Sequence, residues 1–330
     1  MKKAIFLLVM VSFHLTVPAQ KKETTYWNEK TGQLKSQGLL NRKGYKEGRW
    51  QSWYKDGQLR SEEHYENGVK LGKCSYWHPN GQLKNATVYV PSDYFHEFKI
   101  ERESLPADGG WVCYFANGQT QSEGKYLRGA KDGTWTDYFE NGHKKKVYAV
   151  QNELKEGQWE EYYENGQQKS IGNYKNNDKA DLWKHFHENG QVKRIESYDE
   201  RGKVNGKFVS YHDNGKLKEE GNYLAGKKEG IWKMWHPDGT KKMESHHRNG
   251  RYDGDYKSWH NTGKIAEKGI YNNGLKIGEW NEWHQSGQLR CKTVYKNGLK
   301  DDRCQFWNNE GQLVKEILYK NGKKKKETRL

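Results

Sequence analysis

Very little of this sequence is apolar. Hydrophobic residues make up 32% of it and the mean hydropathy is −1.26, which argues against a large conventional core in a chain of 330 residues. One long apolar run opens the chain, and no later segment is long or apolar enough to span a bilayer. Cysteines number four and prolines five. No Ser-His-Asp order, phosphate-binding loop, dinucleotide glycine pattern or paired Cys-x-x-Cys is present, so the glycines serve turns rather than phosphates. We therefore expect no enzyme, no cofactor and no resident metal.

What the chain has in abundance is repetition. The stretch Gly157-Gln-Trp-Glu-Glu-Tyr-Tyr-Glu-Asn-Gly166-Gln-Gln-Lys-Ser-Ile-Gly-Asn-Tyr174 recurs almost from end to end. Alignment on its central glycine gives twelve tips: Gly32, Gly57, Gly81, Gly118, Gly142, Gly166, Gly190, Gly215, Gly239, Gly263, Gly287 and Gly311. Neighbouring tips lie 24 or 25 residues apart, except for one interval of 37. Such a period marks stacked copies of one supersecondary unit. Asn before six of the tip glycines and Asp before two, with flanking runs that hold aromatic and aliphatic residues at alternating positions, mark the unit as a β-hairpin. The fold class is therefore all-β: an elongated array of about twelve antiparallel hairpins in an open, twisted sheet or solenoid.

A two-residue type I′ turn at Asn165-Gly166 would need positive φ at both residues and would pair Glu164 with Gln167, Tyr163 with Gln168 and Gly157 with Tyr174. That register sets the tyrosine ring over a backbone left bare by glycine. One face then carries the aromatic seven before the tip, the residue three before it and the frequent Leu two after it, and is the candidate buried side. The other face carries an aromatic four before every complete tip: Trp53, Trp77, Tyr114, Tyr138, Tyr162, Phe186, Tyr211, Trp235, Trp259, Trp283 and Trp307. Opposite it, three after the tip, stands Lys or Arg in most units, a cation to cover each ring. These rings are the candidate binding surface, with structural cover as the competing role. A histidine row three before the tip (His78, His187, His212, His236, His260 and His284) interchanges with Tyr and Phe, which reads as ring packing rather than metal ligation.

Met1-Lys-Lys and the apolar run to Ala19 have the form of a secretory signal cut near Ala19 or Gln20. The expected location is outside the cytoplasm, secreted or in the periplasm and cell envelope. Loss of Lys2 and Lys3 lowers the formal charge from +15 to +13, with acids interleaved among the bases, so the surplus is spread. After residues 1–19, residues 20–89 form an N-terminal cap and the first hairpins, 90–110 an irregular insertion, and 111–330 nine further hairpins with a basic tail. In the insertion, Asp93, His96, Glu97 and Glu101 lack any metal or acid/base motif spacing. Cys291 and Cys304 come opposite one another if the turn between their strands is Lys296 to Leu299; a disulfide and two buried thiols both fit that placement. Cys74 and Cys113 flank the irregular stretch.

Gly133 to Gly142, Gly157 to Tyr174 and Gly278 to Gly287-Gln-Leu-Arg make the chain resemble the MORN repeat variant, the unit of the YwqK-type antitoxin family. The resemblance implies an array of β-hairpins used as a binding scaffold, an antitoxin-like role, and an association with membranes and phospholipids. From the residues, the expected partner is another envelope protein, with a glycan or cell wall, or an anionic lipid surface, as alternatives. Export argues against nucleic acid.

Overall fold

The computed structural model describes residues 20–89, 109–127 and 129–330. The signal-like segment and nearly all of the irregular insertion, including Asp93, His96, Glu97 and Glu101, lie outside them. The chain divides into two compact units, Met1–Lys131 and Asp132–Leu330. Within each, every described element is a strand paired antiparallel with one or more strands close to it in sequence, from Lys21–Asn28 in the first unit to Lys323–Arg329 in the second.

The hairpin Leu154–Tyr162 with Gln168–Lys175 stands for the rest. Gly157 pairs with Tyr174, as the repeat pattern predicts, but the tip is built differently. Tyr163 N–H donates to Gln167 O at 2.8 Å and Gly166 N–H to Tyr163 O at 3.0 Å. This is a three-residue loop: a type I turn closed by a left-handed glycine, with Gly166 at φ 84°. Asn165 does not adopt positive φ; its Oδ1 accepts Gln167 N–H at 2.9 Å instead. The register recovers because Lys169 is an extra residue between the pairs Tyr162–Gln168 and Glu161–Ser170.

That bulge reverses part of the expected facing. Leu two after the tip pairs with the aromatic four before it, as in Trp53–Leu59 and Trp283–Leu289, and so leaves the side assigned to it by a two-residue turn. True type I′ turns occur at the links between hairpins, such as Asn249-Gly250 at φ 51° and 83°.

The glycine nine before the tip also has a different reason for being there. Gly157 sits at φ 89°, where the register with the preceding strand shifts by two residues. A Cβ there would meet only Ala149, at 3.6 Å, so no tyrosine covers it. Asp181 and Asp302 take the same left-handed conformation at 57° and 82°, which Asp tolerates better than most residues. The same shift places Cys291 opposite Phe306 instead of Cys304. All four cysteines are free thiols, with Cys74, Cys291 and Cys304 buried.

A ring does lie over bare glycine, six residues after the tip. A Cβ on Gly172 would come 2.2 Å from Trp183, and Gly38, Gly221 and Gly269 stand equally close to Trp50, Trp232 and Trp280. Each indole crosses the preceding hairpin and donates to the carbonyl of the residue after the glycine, as Trp183 Nε1–H does to Asn173 O at 3.0 Å. In the second unit the glycines alternate with Glu196, Ser245 and Thr293, and the next hairpin then carries Phe208, Tyr256 or Cys304 in place of the tryptophan. Packing therefore repeats every second hairpin. Between these tryptophans runs a ladder of edge-on rings, Tyr174–Trp183–Tyr198 and Tyr271–Trp280–Tyr295 among them.

Gly172→Ala should destabilise the chain by about 1–3 kcal/mol through overpacking, and Gly157→Ala by about 1–2 kcal/mol through its left-handed backbone. Urea midpoints should show the first cost shrinking in a Trp183→Ala background and the second unchanged by it.

Candidate functional site

The row of aromatics from Trp53 to Trp307, four before each tip, is half-buried throughout. Each ring's strand partner is the residue two after the tip, which is aliphatic at Leu59, Leu83, Val192, Leu217, Ile265, Leu289 and Leu313. These pairs make a second apolar stripe near the tips. Acids and bases flank it: Lys292 bonds Glu279 at 2.6 Å, and Arg303 lies 3.8 Å from Glu316.

The basic residue three after the tip belongs elsewhere than predicted. Because it is the bulged residue, it caps the ring three before the tip: Lys145 over Phe139 at 5.5 Å, Lys169 over Tyr163 at 5.8 Å and Arg60 over Tyr54 at 5.8 Å. In the four-before row, Lys241 lies over Trp259 at 5.4 Å; it sits two after its own tip.

Most of the histidine row acts as donors, although His236 Nε2 is buried without a partner among the described residues. His187, His212, His260 and His284 each direct Nε2–H at the carbonyl of the next hairpin's four-before residue, at 2.9–3.2 Å. Tyr54 and Tyr163 make the same bond through their hydroxyls, at 2.9 Å. Interchange of His with Tyr thus has a cause beyond flatness: both deliver a donor to the same carbonyl. Adjacent tips are tied again by Asn Nδ2–H, from Asn189 to Asp213 O at 2.8 Å and from Asn214 to Pro237 O at 2.7 Å. On the opposite rim, Glu156 and Glu229 accept backbone N–H from Asn176 and Asn249, at 2.8 and 2.9 Å.

A lysine row eleven before the tip was not among the sequence expectations. Lys155, Lys179, Lys228 and Lys276 sit 3.8–4.9 Å from the centroids of Trp159, Trp183, Trp232 and Trp280. Lys228 and Lys276 also bond Glu219 and Glu267, at 2.6 Å each. The signal was available, since Lys46, Lys70, Lys131, Lys155, Lys179, Lys228, Lys276 and Lys300 share that spacing. The link turn that folds them back over the tryptophans was not.

Protonation follows burial. Burial pushes the Tyr271 and Tyr295 hydroxyls up to about 12, with Glu267 and Glu282 respectively adding repulsion. Burial works against ionisation of Glu63 and Glu196 as well. Bonds from Lys70 and Tyr76 to the first, and from His185 and Tyr198 to the second, outweigh it and hold both carboxyls below their usual range. Burial raises the Cys74 and Cys291 thiols, the reverse of what an activated nucleophile needs. Among the described residues no group of three or more His, Cys, Asp or Glu could hold a metal ion. No helix among them is long and apolar enough to cross a membrane.

The MORN repeat variant model matches residues 46–67, 70–90, 155–176, 182–200, 204–225, 228–249, 252–273 and 276–297, more than half of the chain. The chain belongs to the MORN repeat variant family. The segments that end at residues 67, 176, 225, 249, 273 and 297 each stop in a link turn, so one family unit there is one hairpin with the turn that leads to the next. No curated protein matches the chain. Solved structures that it resembles include a complex titled TcdB2-TccC3-Cdc42, at 11% identity and a TM-score of 0.18, over 90% of this chain and 17% of that one. A Photorhabdus luminescens Tc holotoxin pore matches at 12% identity and a TM-score of 0.18, over 90% and 16%. The MORN chain thus spans less than a fifth of the length of either.

Replacing His284 by Phe should cost about 1 kcal/mol, the worth of one lost hydrogen bond, whereas His284→Tyr should retain most of the stability; urea midpoints of the two variants decide it. Tyr271 and Tyr295 bind their protons more tightly folded than unfolded, so their contribution is fully present below about pH 10 and lost between about pH 10 and 12. Tyrosinate absorbance and unfolding midpoints measured across that window should show late-ionising hydroxyls and a falling midpoint.

Proposed function

We propose that this MORN repeat protein is a non-catalytic, exported scaffold that presents its hairpin array to another protein of the cell envelope. The observation that carries the reading is the row of half-buried rings from Trp53 to Trp307, backed by aliphatic partners and flanked by alternating charges. Apolar anchors framed by polar groups are what a protein interface needs. Two cavities of the described residues are open grooves of about 450 and 510 Å³, whereas small-molecule chemistry favours an enclosed pocket. Perturbed groups pair with one another inside the ring ladder, where they serve stability. Export is supported by the composition of residues 1–19, and the antitoxin-like role implied by the family resemblance would require the partner to share that compartment.

Crosslinked pull-downs from the envelope fraction should recover a protein partner with the native chain and lose at least about 90% of it with Trp235→Ala plus Trp259→Ala, because central aromatic anchors dominate interface energy. Circular dichroism should show the variant still folded. Retention of every partner by that folded variant would dispose of the reading, and N-terminal sequencing that finds Met1 intact on the envelope protein would remove the export step.

A further inference from the structure

The two grooves share some positions of the repeat but carry opposite electrostatics. In the groove of the second unit, Arg290 is bonded to Glu282, and Glu267 lines the same space. Its cation is neutralised from within. In the groove of the first unit the position of Glu282 is taken by Tyr76 and that of Glu267 by Asn85. Among the described residues no carboxylate lines that groove, while Arg60 and Lys84 both reach it with exposed side chains. Glu63, which bonds the groove residue Tyr76 at 2.7 Å, is also paired with Lys70 at 2.6 Å.

The floor of this groove is aromatic and braced. Tyr76 is clamped between Glu63 and Lys70, each 2.7 Å from its hydroxyl, while Tyr89 and Trp111 add two more half-buried rings. Trp111 keeps part of its surface in the groove because Thr87, rather than glycine, precedes it in the stacking position. Amide groups of Asn85 and Gln121 complete the lining. Flat rings offer platforms to the C–H faces of a pyranose, amides match its hydroxyls, and a pair of unneutralised cations selects a carboxylate.

We propose that the first unit binds an acidic oligosaccharide in this groove, with Arg60 and Lys84 on the carboxylate and the sugar rings against Tyr76, Tyr89 and Trp111. A single-stranded nucleic acid would also use rings, but it needs a basic track along its backbone, and among the described residues only Arg60 and Lys84 bring cations to this groove. Trp77 belongs both to this groove and to the ring row, but Trp235 and Trp259, which test the protein contact, do not line the groove.

Calorimetric titration of the full chain with an oligogalacturonate and with a neutral galacto-oligosaccharide of equal length tests this. Expected is binding of the uronate at least about tenfold tighter than the neutral chain, a difference of about 1.4 kcal/mol or more. Arg60→Ala plus Lys84→Ala should remove that preference while leaving circular dichroism unchanged, and Arg290→Ala should leave binding as it is. Equal affinity for both sugars, undiminished binding by the double variant, displacement of the uronate by a polyglutamate peptide or a single-stranded oligonucleotide, or no binding of either sugar would each overturn the assignment.

Discussion

Everything in this protein depends on the way one hairpin closes. A type I turn ending in a left-handed glycine adds one residue to the loop, and a bulge three residues after the glycine removes the resulting slip. Without the bulge, the pattern of every strand beyond the tip would invert, because side chains alternate with a period of two. With it, Gly157 still meets Tyr174 and Trp159 still meets Gly172, while the residues nearest the tip are redistributed between faces. The basic residue at the bulge leaves the ring four before the tip and caps the one three before it. The four-before ring gains an aliphatic neighbour in exchange.

Stacking then follows from hydrogen-bond accounting. A hairpin tip exposes carbonyls that the next hairpin's edge can leave dry, and such groups must find donors. His and Tyr three before the tip, Asn one before it and Glu or Asp on the opposite rim supply bonds to the adjacent unit. Because each bond joins one hairpin only to the next, the array is stabilised by nearest-neighbour interfaces. The tryptophans modulate those interfaces. Trp50, Trp183, Trp232 and Trp280 each cover a glycine of the preceding hairpin, and where Glu63 or Glu196 occupies that place the next residue shrinks to Cys74 or Phe208.

The chemistry of the array is that of a surface. Carboxylates that burial would neutralise are held ionised by lysine, histidine and tyrosine within the ring ladder, and burial raises the Cys74 and Cys291 thiols. Local substitutions within the repeat, such as Tyr76 for the position of Glu282, change the charge of a groove without disturbing its frame. Specificity can therefore be written onto one place in a uniform scaffold.

Much of this was legible before any coordinates. A fixed spacing of glycine, aromatic and tyrosine residues determined the hairpins, their antiparallel order and the pairing of Gly157 with Tyr174, since period and alternation are local properties of a chain. The half-exposed ring row could be named residue by residue for the same reason. What only the tertiary structure decided was the turn type, the facing of Leu59 and Lys169, the glycine that a tryptophan covers, the free state of Cys291 and Cys304, and the lysines over the indoles. Each of these rests on a shift of one or two residues, or on contact with the next hairpin. A bulge costs too little locally to leave a mark in composition, and packing between copies is settled only when they meet.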